Sequence, residues 1–163
     1  MLTTIGLSVL MMAGLFLLLW GAVGFVQDRR FFTSAPKEVQ EAVQPKVERF
    51  RGQRLVGWAM LILALALMIG ALVFGGYEGI RSSFGFRQFF VRFAVIMLLV
   101  KAFDILFFDW YLLCHAHLFP RYYPETKPVL SPKLFGYNWK SHAVQLGLMI
   151  LASLLMAWVC TLI

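Results

Sequence analysis

Charge is scarce in this chain of 163 residues: 14% of it is Asp, Glu, Lys or Arg, where ordinary soluble domains carry about 25%. Acidic residues number 8, histidines 3 and cysteines 2. With a mean hydropathy of +0.78, this composition excludes a disordered chain, a coiled coil and a typical soluble enzyme. The sequence has no Cys-x-x-Cys, His-Glu-x-x-His, Walker loop, dinucleotide fingerprint or Gly-x-Ser-x-Gly elbow. No histidine lies deep in an apolar run, which argues against haem ligation, and no cofactor is expected. Internal repeats and low-complexity tracts are missing as well.

What is present is apolar: 61% of the chain, gathered in four runs. They cover Ile5 to Val26, Leu55 to Gly76, Phe89 to Leu113 and Ala143 to Ile163. Each matches the roughly 20 residues that a helix needs to cross about 30 Å of hydrocarbon. Only the third holds charges, namely Arg92, Lys101, Asp104 and Asp109. Runs this long are helices, because a lipid-exposed backbone must satisfy its own hydrogen bonds. The expected fold is therefore all-α: one polytopic membrane domain over 1–163, with four transmembrane helices in a bundle. The first run has no Lys or Arg before it and is roughly twice as long as a secretory signal core, so it is expected to stay as an uncleaved span.

The basic residues set the expected orientation. Arg29, Arg30, Lys37, Lys46, Arg49, Arg51 and Arg54 fall in the loop 27–54, and Arg121, Lys127, Lys133 and Lys140 in the loop 114–142. These loops share one side, while Arg81, Arg87 and Arg92 lie near the other surface. Cytoplasmic loops carry the Lys/Arg excess, so both loops are expected inside and both termini outside, in a bacterial-type cytoplasmic membrane. The net charge of +7 then needs no nucleic acid. Arg49, Arg51 and Arg54 are placed to meet anionic lipid headgroups, and further copies of the chain or a larger membrane complex are the expected protein partners.

In the first loop, Ser34 and Pro36 suit a helix start, with Val39, Ala42 and Val43 on one face. Pro45 should end that helix and open another through Val47 and Phe50. Pro120, Pro124, Pro128 and Pro132 predict turns or extended chain in the second loop, whose Tyr122, Tyr123, Phe135, Tyr137 and Trp139 suit the headgroup level. That loop should fold back as a cap. Small residues mark close helix contacts: Gly14, Gly21 and Gly24; Ala66 with Gly70; Ala71 with Gly75; Ser153 with Ala157.

Chemistry concentrates in the third run. Ionisable groups in hydrocarbon are costly and face a partner or water. At helical spacing Lys101 and Asp104 lie about 60° apart and can pair, whereas Asp109 falls about 80° from Lys101 on its other side. One narrow groove is not expected to hold both acids. The Lys101–Asp104 pair either locks the span against its neighbours or borders a polar cavity, and Asp109 is expected to be a hydrogen-bonded boundary residue. Cys114, His115, His117 and Arg121, with His142, gather at the cytoplasmic interface. Their spacing matches no metal motif, and His115, His117 and His142 are the nearest approach to a ligand set. Cys160 lies on the opposite side from Cys114, which excludes a disulfide within the chain.

The stretch Phe103-Asp104-Ile105-Leu106-Phe107-Phe108-Asp109-Trp110, with Pro124-Glu125-Thr126 and the approach Tyr137 to His142, resembles a group of small four-helix bacterial membrane proteins. These carry an F-D-x-x-x-x-D-W run in the third helix. They often show Pro-Gly-Thr-Glu where this chain has Pro-Glu-Thr. The likeness covers roughly the C-terminal third to two-fifths of the chain. It implies the same topology, with Asp104 and Asp109 as distinctive residues, and implies no mechanism.

Three function classes remain. The first is an accessory or structural membrane protein. The second is an oligomeric transporter or channel for a small cation, proton or lipid-like substrate, using Asp104 and Lys101. The third is a membrane-embedded enzyme acting on a lipid or isoprenoid at the cytoplasmic interface, with Asp109, His115, His117 and His142 as base or ligands and Arg121 holding a phosphate.

Overall fold

Helix accounts for most of the described backbone in the computed structural model, which describes residues 1–32, 37–44, 46–116, 118–129, 135–136 and 138–163, with backbone alone for 32 and 119. Helix α1, Leu2–Val26, is α-helical to Trp20 and widens into π geometry over Gly21–Val26. Short α2, Lys37–Ala42, precedes α3, Gln53–Arg81. Helix α4, Phe86–Phe103, continues without a break as a π-helix over Asp104–His115. Then come α5, Leu118–Tyr122, and α6, Trp139–Leu162. Single 3-10 turns fill Arg29–Phe32 and Pro124–Thr126, and the described residues form no strand.

Helices α1, α3 and α6 are long and apolar enough to cross a membrane. The 29 residues of α3 extend about 43 Å at 1.5 Å per residue, well past the apolar run that ends at Gly76. Its stop is local. Ser83 takes a left-handed φ of 55°, and Phe84 N donates back to Gly79 O at 3.0 Å, closing the last turn. Glu78 and Arg81 therefore belong to the helix.

Helix α1 packs along α3 on one side and α4 on the other, and α6 packs along α4. Glycine permits the α1–α3 approach. A Cβ on Gly57 would lie 2.7 Å from Val26 Cγ2 and 2.9 Å from Val26 N, and one on Gly21 would lie 3.2 Å from Gly57 O. Where α3 nears α6, Gly76 faces Cys160 Sγ. Leu7, Met11, Ala71, Ile96 and Val100 fill the middle, and Phe89, Phe93 and Ala157 fill the end beside the 82–85 turn. Ala71, Gly75, Ser153 and Ala157 are buried as their spacing predicted. Ala66 and Gly70 are not: both are exposed, because the α1-facing stripe of α3 runs through Gly57, Leu61, Ala64 and Ala71.

The loops depart further from expectation. No helix forms over 46–50; α3 begins at Gln53, after Gly52 turns the chain with φ 87°. Gln53 is buried and ties the end of α1 to this turn. Its Nε2 donates to Phe25 O at 2.9 Å and Gln27 Oε1 at 3.2 Å, while its Oε1 accepts from Arg49 N at 2.9 Å. In the second loop α5 is helical across Pro120. Tyr123, expected among headgroups, is fully buried with Val23, Val43, Leu112 and Leu118. Its Oη donates to Val23 O at 3.2 Å, one of the carbonyls that the end of a helix leaves without a partner. Burial pushes the Tyr123 phenol far above its ordinary range, so it stays a neutral donor. Ser34, Pro36, Pro45, Pro132, Lys133 and Tyr137 lie outside the described residues.

Glu125 fastens the two loops together. Its Oε2 accepts from Lys46 Nζ at 2.8 Å and its Oε1 from Gln44 N at 3.2 Å. Burial alone would raise the Glu125 carboxyl. The Lys46 hydrogen bond, with backbone bonds from Glu125 and Gln44, outweighs it and holds the group below its ordinary 4.5.

Gly57→Ala should destabilise the purified protein by about 1–3 kcal/mol, because the methyl meets backbone that cannot step aside. Gly70→Ala, with nothing within 4 Å, should leave the melting temperature level or slightly raised. Glu125→Gln should lower the melting temperature near pH 7. A depressed carboxyl stabilises above its unfolded pKa and loses that contribution as pH falls through the folded one, so the gap between wild type and variant should close below pH 4.5.

Candidate functional site

The polar residues of α4 meet α6 along one seam. Lys101 Nζ donates to Asp104 Oδ2 at 2.6 Å and to Gln145 Oε1, on α6, at 2.5 Å. The lysine is 2% exposed and the Asp104 side chain 28%, so the amine is the sealed partner. Gln145 is held in turn by Ser141, whose Oγ accepts from Gln145 Nε2 at 3.3 Å. Because α6 runs antiparallel to α4, His142 comes opposite Asp109, with Nε2 and Oδ2 2.8 Å apart. These two atoms are close enough for charge attraction but are not aligned as a hydrogen bond, since Asp109 Oδ2 has no aligned donor among the described residues. His142 Nδ1 is buried with no hydrogen-bond partner among them.

The seam holds both acids, contrary to the helical-wheel expectation. At 3.6 residues per turn Asp109 would sit about 140° from Asp104. From Asp104 onward, however, the backbone is π-helical, and its wider turn brings residues five apart much nearer to one face than an α-helix would. Asp104, Asp109 and Cys114 have that spacing. Ala116 N donates to Tyr111 O at 2.8 Å, and Cys114 Sγ donates to Asp109 O at 3.1 Å. His115 Nδ1 meets Trp110 O at 2.8 Å. Away from the seam Phe103, Phe107 and Tyr111 stack in sequence, with ring centroids 5.0 and 5.6 Å apart, and Phe107 reaches Phe16 of α1.

The interfacial candidates do not converge. Cys114 turns to the α4 backbone, the His115 ring lies against Trp110 with centroids 4.5 Å apart, and Arg121 is exposed on α5. His117 lies outside the described residues. Among the described residues no three His, Cys, Asp or Glu side chains are grouped to hold a metal.

Two participants escaped the sequence reading. Gln145 has a visible signal, three residues after His142 in an otherwise apolar helix. Glu78 is the other. Arg92, expected near the surface, is 5% exposed; its guanidinium pairs with Glu78, donates from Nη1 to Gly75 O at 2.8 Å and lies 4.3 Å over the Phe84 ring.

No family model, curated protein or solved structure matches this chain.

A double-mutant cycle on Asp109→Leu and His142→Leu, read by unfolding in detergent, should give a coupling of about 0.5–3 kcal/mol. The double variant should be more stable than the sum of the singles implies, because each single change leaves one half of the pair alone in the seam.

Proposed function

We propose that the chain is a small integral membrane protein of accessory or structural type. In this reading all four long helices cross the bilayer, both termini face outward, and the loops 27–54 and 114–142 face the cytoplasm. The basic loops meet anionic headgroups through Arg49, Arg51 and Arg54, and the membrane is a bacterial-type cytoplasmic one. The likeness to the four-helix group with the F-D-x-x-x-x-D-W run belongs to the same reading.

One observation carries the proposal: the Lys101 amine is sealed and bonded to two acceptors, on its own helix and on α6. A cation held so tightly favours a fastening role over a path for solute. It fixes the rotation of α4 and its register on α6, as a buried polar group can fix register in a bundle. The charges make α4 the least lipid-adapted of the four helices, and α1 and α6 flank it.

A second reading rests on the Asp109–His142 pair. A carboxylate beside an imidazole whose other nitrogen has no hydrogen-bond partner among the described residues can hold and pass a proton, which suits a membrane-embedded enzyme at the cytoplasmic interface.

Asp104→Cys, in a background lacking Cys114 and Cys160, should resist a membrane-impermeant maleimide from either side of sealed vesicles. Labelling would show water at the middle of α4 and would favour the transport alternative. Lys101→Leu alone should destabilise by about 3–5 kcal/mol, whereas Lys101→Leu with Asp104→Leu should recover most of that loss.

A further inference from the structure

Opposite the basic loops, beside the 82–85 turn, α1 and α4 diverge and leave a groove of about 440 Å³. That volume falls in the range of ligand-binding clefts, roughly 300–1,000 Å³. Its walls are mostly apolar. Ile5 of α1, Val91 and Val95 of α4, and Phe84 line it. Two cations line the same groove, Arg87 and Arg92.

The two arginines differ in a way that defines the site. Arg92 is 5% exposed and paired with Glu78, yet its Nε is buried with no hydrogen-bond partner among the described residues. Arg87 is exposed and has no ion pair among the described residues. Glu78 therefore neutralises one of the two, and the other keeps its charge free. Gln88, which also lines the groove, closes the first turn of α4, its Oε1 accepting from Gly85 N at 2.8 Å.

Arg87, Val91 and Val95 recur every fourth residue on one face of α4 and span about 12 Å at 1.5 Å per residue. A free cation at one end of an apolar trough fits a ligand with an anionic head and a hydrocarbon tail. We propose that this groove binds an anionic phospholipid, its phosphate at Arg87 and one acyl chain along Ile5, Val91 and Val95. The arginine fork suits phosphate oxygens, and the trough excludes a free inorganic anion as a full ligand because most of its wall would stay unfilled. The inference rests on the membrane reading above.

The test uses full-length protein in detergent and in nanodiscs of phosphatidylcholine with or without phosphatidylglycerol. Native mass spectrometry should show one phosphatidylglycerol retained per chain in preference to phosphatidylcholine, at least fivefold. Phosphatidylglycerol should raise the melting temperature, and inorganic phosphate should not. Arg87→Gln should abolish the headgroup preference. Val91→Trp, which fills the trough at an exposed position, should reduce retention of the lipid while the protein stays monodisperse. Equal retention of both lipids, or full retention by Val91→Trp, would overturn the site. A shift with inorganic phosphate alone would reassign it to a free anion. Alkaline carbonate extraction separates the two levels: release of the chain from membranes defeats the membrane reading, whereas a chain that stays in the membrane without lipid preference defeats only the groove.

Discussion

A lysine amine at 2% exposure among apolar helices needs acceptors brought to it, and the position of α6 follows from that requirement. Asp104 supplies one acceptor from the same helix and Gln145 supplies the other from across the seam. Lipid tails are as apolar as the leucines that cover these helices, so burial of apolar surface gives helices in a bilayer little reason to choose a partner. A polar group with a defined mate does. The same logic acts at the other end of α4, where Arg92 is answered by Glu78 and the Gly75 carbonyl of α3. Two cations on one helix thus point it at two different neighbours.

The π-helical half of α4 extends this constraint to the end of the seam. An ordinary helix would carry Asp109 away from Asp104 and set it against another surface. The wider π turn brings Asp109 nearer to the face of Asp104, and Phe107 meets Phe16 of α1. Helix α1 makes a similar adjustment over Gly21–Val26, where it meets α3 at Gly57 and presents the Val23 carbonyl to Tyr123. Both π segments lie at the loop-bearing end of the bundle. There the two loops are drawn together by Tyr123, which packs with Val43, and by the Glu125–Lys46 pair.

The order of events along the chain therefore matters less than which groups need partners. Glycines let α1 and α3 approach until backbone meets side chain, which gives dispersion contacts that lipid cannot match. Polar pairs then place α4 between α3 and α6, over other ways of bundling the same apolar rods. The groove lined by Arg87 lies beside the Arg92–Glu78 pair, which answers one cation and leaves Arg87 without an ion pair among the described residues.

Much of this architecture could be seen in the amino acids alone. Four apolar runs, a Lys/Arg bias between loops and a three-residue spacing from Lys101 to Asp104 establish helices, a membrane-like composition and one ion pair, because each depends only on local composition or on the period of a regular helix. The stripes Ala71 with Gly75 and Ser153 with Ala157 could be read for the same reason. What the sequence could not supply was any feature set by a second helix. Gln145 and Glu78 look like isolated polar residues until α4 is laid against them, and Ala66 with Gly70 has the spacing of an interface but faces outward. Tyr123 looks interfacial by residue type, yet tertiary packing buries it under α5. Asp109 shows the division most plainly. Its residue type and number are written in the chain, but the face it occupies depends on a change from 3.6 residues per turn to i→i+5 bonding. The structure supplies His142 across the seam as the partner that the wider turn lets it meet.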